Sequence, residues 1–125
     1  MTYLLERQEG PIRPSVLLNI KKNEDIIGRF MFVPHSLELW EAHLSPIRVK
    51  ERGDVLRFAR AALKFIFEDV RTVRKLIAII PENNQHTLKM VEELGFVYEG
   101  RIKESHLRAG VMEDQEIYGI KREDV

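Results

Sequence analysis

Apolar residues recur along this chain at two periods, and the switches between them mark out its elements. Residues 15–22 (SVLLNIKK) are rich in β-formers and read as a strand. Asn23-Glu24 supplies a hairpin tip, and residues 25–33 (DIIGRFMFV) form the partner strand, ended by Pro34. Residues 36–44 (SLELWEAHL) read as a third strand. Their alternation puts Leu37, Leu39, Glu41 and His43 on one face and Trp40, Ala42 and Leu44 on the other. From Asp54 to Val70 the period lengthens. Val55, Leu56, Ala59, Ala62, Leu63, Ile66, Phe67 and Val70 make one helical stripe, with Arg57, Arg60, Lys64 and Glu68 opposite. Asp54 reads as the N-cap of that helix, and Gly53 as the flexible residue before it. Residues 75–80 (KLIAII) are nearly all apolar, which marks a strand buried on both faces, closed by Pro81. Asn84 then caps a second helix running to Leu94, and Gly95 stops it. Residues 96–103 and 114–120 read as a closing antiparallel pair, with Gly110 in the turn.

The order is therefore βββαβαββ, an α/β domain of the α+β kind: a mixed sheet containing one βαβ crossover. Residues 1–14, punctuated by Pro11 and Pro14, read as an extended arm of a single domain spanning 1–125. Lys plus Arg and Asp plus Glu number 20 each, so the net charge is zero. That balance argues against a dedicated nucleic-acid or membrane-surface binder. The absence of cysteine excludes disulfides, thiol nucleophiles and thiolate metal sites, and fits a reducing compartment. No apolar run approaches the roughly 18 residues of a membrane span. Met1 to Gly10, with Glu6, Arg7 and Glu9, lacks a signal-peptide core, so the cytoplasm is the expected setting.

Several familiar sites are missing. The chain has no G-x-x-x-x-G-K-[ST], G-x-G-x-x-G or G-x-S-x-G motif. His35, His43, His86 and His106 lack zinc spacing, so no metal is expected, and His86 reads as a surface residue. The informative stretch is 80–100 (IPENNQHTLKMVEELGFVYEG). It resembles the GNAT (GCN5-related N-acetyltransferase) superfamily pattern of buried strand, N-x-x-[ST/A], helix, G-F and x-x-E-G, in particular its ribosomal-protein acetyltransferase branch. Asn84 and Thr87 take the asparagine and small-residue positions, and Asp114, Tyr118 and Lys121-Arg122-Glu123 match how such proteins end. Taken singly, Asn84 reads equally as a helix cap and Gly95 as a helix stop. Their joint occurrence after a buried strand and before Phe96 and Glu99-Gly100 carries the resemblance.

The resemblance implies the acyl-CoA N-acyltransferase fold, with acetyl-CoA as co-substrate and an amine of a protein or small molecule as acceptor. In that family the strand before the asparagine splays from its neighbour and admits the pantetheine arm. The pyrophosphate loop, [QR]-x-x-G-x-[GA], falls on Lys50-Glu51-Arg52-Gly53-Asp54-Val55. The implied cofactor-binding set is Lys50, Arg52, Gly53, Asp54, Val55, Asn84 and Thr87. Only Gly53 matches the loop strictly. Lys50 keeps a donor, Val55 adds bulk, and Asp54 places a carboxylate where an anion is received. Arg48, Lys50 and Arg52 ring the loop, and Arg57, Arg60 and Lys64 share a helix face. They read as phosphate partners or as a solvated face.

Acyl transfer to an amine needs a base, stabilisation of the tetrahedral oxyanion and a proton for the thiolate. The tyrosine that many family members carry in the last helix is replaced here, at Met90 and Val91. Glu41 resembles the water-relay base of some members, with His43 on its face; both also read as an ordinary polar strand face. Tyr118 is the third catalytic candidate, with Tyr98 and Ser105 as further hydroxyls. The family usually opens with a strand and two helices that cover the acceptor side, whereas only residues 1–14 precede the first strand here. The resemblance thus implies an N-terminally shortened form, its acceptor side open or covered by a second copy or a partner. The short length, a His-bearing third strand, P-x-x-N and D-Q-x-x-x-G also resemble phage-encoded GNAT-like proteins of the head-assembly type. That narrower likeness implies the alternative of a catalytically inactive binding or assembly protein, or a virion component.

Overall fold

The structure, a computed structural model, describes residues 15–44 and 52–125, without the side chains of Lys22 and Arg52. In chain order the elements are β1 (Val16–Lys22), β2 (Asp25–Pro34), β3 (Leu39–Leu44), α1 (Arg52–Asp69), β4 (Lys75–Pro81), α2 (Gln85–Glu93), β5 (Val97–Arg108) and β6 (Val111–Lys121), with a 3₁₀ turn at Arg122–Asp124. The strands form one six-stranded sheet in the order β1-β2-β3-β4-β6-β5. Every pairing is antiparallel except β3 with β4, which α1 joins as a crossover. The predicted order of three strands, helix, strand, helix and two strands is the observed one. The arm predicted over 1–14 lies outside the described residues.

Both helices lie over the sheet face that carries Phe30, Phe32, Trp40, Leu76, Ala78, Ile80, Tyr118 and Ile120. The predicted stripe of α1 supplies Ala59, Ala62, Leu63, Ile66, Phe67 and Val70 to the same core. β4 is fully buried on that face and half-buried on the other, so the prediction of burial on both faces holds for one face only. The outer face, which neither helix covers, carries half-buried Met31, Val33, Leu39, Ile77, Ile79 and Ile117. No helix among the described residues is long and apolar enough to cross a membrane.

Three boundaries differ from the sequence pattern, each for a local polar reason. β3 begins at Leu39 rather than Ser36. The amides of His35 and Ser36 donate to the Leu39 carbonyl (2.9 and 3.1 Å), and Ser36 Oγ accepts from the Leu39 amide (3.0 Å). This closes a turn that leaves Leu37 exposed. α1 begins at Arg52, so Asp54 sits inside the first turn instead of capping it. There its carboxylate still favours the positive end of the helix. Third, β5 and β6 run on as a long hairpin through residues 104–113. Ala109 and Gly110 take positive φ (49° and 78°), as a two-residue hairpin turn requires. A bulge at Glu104 (φ 47°) is fixed by its amide donating to Asp114 Oδ1 (2.8 Å). The α2 end follows the prediction. Gly95 (φ 99°) and Phe96 donate to the carbonyls of Glu92 and Val91, a Schellman closure.

One cation ties the ends of this fold together. The last carbonyls of a helix have no partner within it, and α1 has no basic residue in its last turn. The Arg122 guanidinium supplies the donors, reaching the carbonyls of Phe67, Val70 (3.1 Å), Arg71 (3.1 Å) and Val73 (2.8 Å). Its Cζ also lies 5.2 Å from the centre of the Phe67 ring. Arg122→Ala removes the side-chain donor from these carbonyls, of which Val70 keeps the Val73 amide, and is expected to cost about 2–4 kcal/mol, measured by urea unfolding. A loss of under about 0.5 kcal/mol would show that water replaces the guanidinium.

Candidate functional site

β3 and β4 pair over only three positions: Leu39 with Lys75, Trp40 with Leu76, and Glu41 with Ile77. Beyond Glu41 they part. Ala42, His43 and Leu44 continue on β2, while Ala78, Ile79, Ile80 and Pro81 continue on β6. Between the diverging ends lies a cleft of about 210 Å³. Ala42 and Leu44 form one wall and Ala78 and Ile80 the other. Ala59 and Leu63 of α1 close one side and Thr87, Met90 and Leu94 of α2 close another, above Phe30 and Phe32. Three of these wall residues are alanines, so the space exists because their side chains do not fill it. Among the described residues no ladder bond crosses the gap. Two strand edges, each with backbone donors and acceptors, therefore face one another in apolar surroundings.

Two predicted residues sit at the cleft rim. Asn84 Oδ1 accepts from the Thr87 amide (3.3 Å), so the helix-cap reading of Asn84 holds, and both residues also line the cleft. The predicted phosphate loop is described only from Arg52 onward. Lys50 lies outside the described residues, as does the side chain of Arg52. Gly53 is in the first turn of α1, where a Cβ would meet nothing within 4 Å. Asp54 Oδ1 is 3.2 Å from Arg57 Nη2, and Val55 is half-buried. Arg57, Arg60 and Lys64 are exposed, and Arg60 also reaches the Glu93 carbonyl at the end of α2 (3.4 Å).

The strand alternation sends Glu41 and His43 to the outer face, as predicted. Glu41 is held from both sides: Oε1 is 2.8 Å from His35 Nε2 and Oε2 is 2.6 Å from His43 Nε2. Its side chain is 12% exposed, and His43 lines the cleft. Sequence reasoning paired Glu41 with His43 but missed His35. The signal was the bend at Ser36, which brings a residue six positions away beside the carboxylate.

Tyr118 is not brought to the cleft. It is buried on the helix side of β6 and donates its hydroxyl to Glu92 Oε1 (2.9 Å). Its ring meets Tyr98 edge-on, with centres 5.5 Å apart. Ser105 Oγ donates to the Ile102 carbonyl within the β5 bulge (2.8 Å).

No protein-family model matches the chain, and no curated protein matches its sequence. Its fold does match solved structures. A spermidine N-acetyltransferase, a chimera of SpeG from Vibrio cholerae and hSSAT, superposes with a TM-score of 0.78 at 18% identity, over 87% of this chain and 68% of that one. A GNAT-family acetyltransferase from Bacillus anthracis superposes with a TM-score of 0.69 at 20% identity, over 81% and 61%. The microcin C7 self-immunity acetyltransferase MccE, in complex with acetyl-CoA and AMP, gives 0.73 at 19% identity, over 86% and 61%. This chain thus spans roughly two thirds of the length of the structures it matches. It has the GNAT acyl-CoA N-acyltransferase fold.

Burial, reinforced by the Glu92 carboxylate, raises the Tyr118 hydroxyl above the ordinary tyrosine pKa. The folded state then keeps this proton to higher pH than the unfolded chain does. The stabilisation is complete below the unfolded tyrosine value of about 10 and is lost as pH rises through the folded one. Tyr118→Phe is expected to flatten the decline in urea midpoint between about pH 9 and about pH 11. An unchanged slope would mean that Tyr118 does not drive it.

Proposed function

We propose that this chain is an acetyl-CoA-dependent N-acyltransferase acting on an amine. The observation that carries the reading is the pair of unbonded strand edges facing across an apolar cleft that alanines keep open. Unmet backbone groups there favour an extended ligand that brings its own amides. The pantetheine arm of acyl-CoA is such a chain. The fold supports the same reading, and MccE, solved with acetyl-CoA, supports that donor.

In this reading the edges at Ala42 to Leu44 and Ala78 to Ile80 receive the pantetheine amides, with Asn84 and Thr87 along the wall. The first turn of α1 at Gly53 offers open backbone N–H groups to the pyrophosphate, and Lys50, Arg52 and Val55 complete that loop. Arg57 draws the Asp54 charge aside, which answers the mismatch of a carboxylate at an anion site. Glu41 and His43 serve the acceptor side. Tyr118 holds β6 against α2 through Glu92 instead of donating to the thiolate. The amine nitrogen attacks the thioester carbonyl carbon, the C–N bond forms, the C–S bond breaks, and the thiolate leaves. The spermidine acetyltransferase among the matched structures supports an amine acceptor. Such a reaction belongs in the cytoplasm, where acetyl-CoA is available. A second reading, a GNAT-like binding or assembly protein, is favoured by the exposed Leu107 and Val111 near the tip of the β5–β6 hairpin.

Thermal unfolding with added acetyl-CoA separates the two readings. Ligand at about 100 times its Kd stabilises by about 2.7 kcal/mol, a rise of roughly 10 °C in Tm for a domain of this size. No rise at millimolar acetyl-CoA rejects the enzyme and leaves the binding protein. Gly53→Glu meets no neighbour, so it is expected to fold normally yet lose the shift. Ala42→Leu should lose it as well by filling the cleft. A full shift in Gly53→Glu would place the pyrophosphate elsewhere than α1.

A further inference from the structure

We propose that His35, Glu41 and His43 form one proton relay, in which His43 takes the proton from the amine acceptor and His35 is a positioning residue for Glu41. The proposal rests on the acyl-transfer reading above and assigns roles within it. The geometry separates the roles. Both Glu41 oxygens are engaged, Oε1 by His35 and Oε2 by His43, so the carboxylate is fixed in rotation. The neighbours level with it on the flanking strands, Val33 and Ile77, carry no charge, and neither does Met31 level with His43. The two imidazoles are therefore the polar groups the described structure brings to this carboxylate.

His43 differs from His35 in one respect: it lines the cleft. Its Nε2 is directed at Glu41, so the carboxylate selects the tautomer with the proton on Nε2 and leaves Nδ1 as the acceptor. A neutral imidazole held in this way is a general base. His35 meets the other Glu41 oxygen from the turn before β3 and does not line the cleft, so its action runs through Glu41. The step balances. The ammonium R–NH₃⁺ gives one proton to His43 Nδ1, and Glu41 stabilises the imidazolium. The freed lone pair forms the C–N bond, the C–S bond breaks, and the coenzyme A thiolate takes the second proton shed by nitrogen. The proton on His43 returns to water through its exposed ring. The net change is acetyl-CoA plus R–NH₃⁺ giving the amide, coenzyme A thiol and H⁺.

The test uses the full chain with acetyl-CoA and three acceptors: spermidine, a lysine-containing peptide and hydroxylamine. The first two are ammonium ions at neutral pH; hydroxylamine is not and needs no base to begin. His43→Ala is expected to lower kcat roughly 10²- to 10⁴-fold with the ammonium acceptors, and far less with hydroxylamine. The acetyl-CoA-induced rise in Tm should persist in His43→Ala, showing that the chain still folds and binds the donor, and should be unchanged in His35→Ala, whose side chain does not line the cleft. Glu41→Gln should follow the same pattern. His35→Ala should lower kcat about tenfold to 10²-fold with ammonium acceptors, and His35→Gln, which keeps an N–H donor, should recover most of it. A loss equal for all three acceptors, or wild-type kcat in His35→Ala, overturns the relay. So does a wild-type chain that binds acetyl-CoA yet acetylates none of the three. A chain that does not bind acetyl-CoA overturns the acyltransferase reading, and the relay with it.

Discussion

The geometry of the site follows from a short parallel ladder that is clamped at one end. The Glu38 carbonyl accepts from the amides of both Arg74 and Lys75 (2.8 and 3.0 Å), which binds the start of β4 to the start of β3. The Arg122 amide donates to the Arg74 carbonyl (2.9 Å), and its side chain closes the end of α1. Three segments far apart in sequence are thus joined at one end of the central strands. Trp40 and Leu76, level with each other just inside the clamp, are fully buried and keep the strands in register. Past Glu41 and Ile77 no ladder bond among the described residues holds β3 to β4. Each follows its antiparallel partner, and sheet twist carries the free ends apart.

Such a gap is costly in a domain of this size, because it leaves backbone polar groups without ladder partners and apolar walls without contacts. Fully filled, the same space would stabilise the fold. Three of the residues that border it are instead alanines, Ala42, Ala59 and Ala78, each on a different element. Departures from best packing that cluster in one place, while the rest of the core is closed around Trp40, Ile66 and Leu76, fit the proposed donor site. The two helices converge on the same place. α1 borders it with Ala59 and Leu63, and α2 starts from the Asn84 cap at its rim.

Much of this was legible in the sequence. β-forming runs, the alternation of β3, the apolar run of β4 and the stripe of α1 placed these elements, because burial selects those patterns. The Asn84-to-Gly95 segment was legible as a cap and a stop around one short helix. What escaped was set by polar contacts with no period. The hairpin through residues 104–113 has mostly exposed side chains, such as Leu107 and Val111, so no alternation announces it. Asp54 looked like a cap because its residue type favours one, yet the helix gains two more residues before it. His35 was missed because its role depends on a turn that Ser36 and Leu39 close together.

That turn shows how the core positions the outer face. Strand residues alternate, so burying Trp40 sends Glu41 to the opposite side, and a slip of one residue would exchange them. Burial of Trp40 therefore fixes where the carboxylate stands, and the next odd position, His43, must share its face. The Ser36 turn folds His35 back onto the same carboxylate. Ala42, between Glu41 and His43, faces the cleft from the helix side. One short stretch of β3 thereby borders the proposed donor site with its even residues and carries the histidine–carboxylate cluster on its odd ones. The ladder between β3 and β4 ends at Glu41, so the gap that opens beside the proposed donor site starts at the carboxylate of the proposed acceptor side.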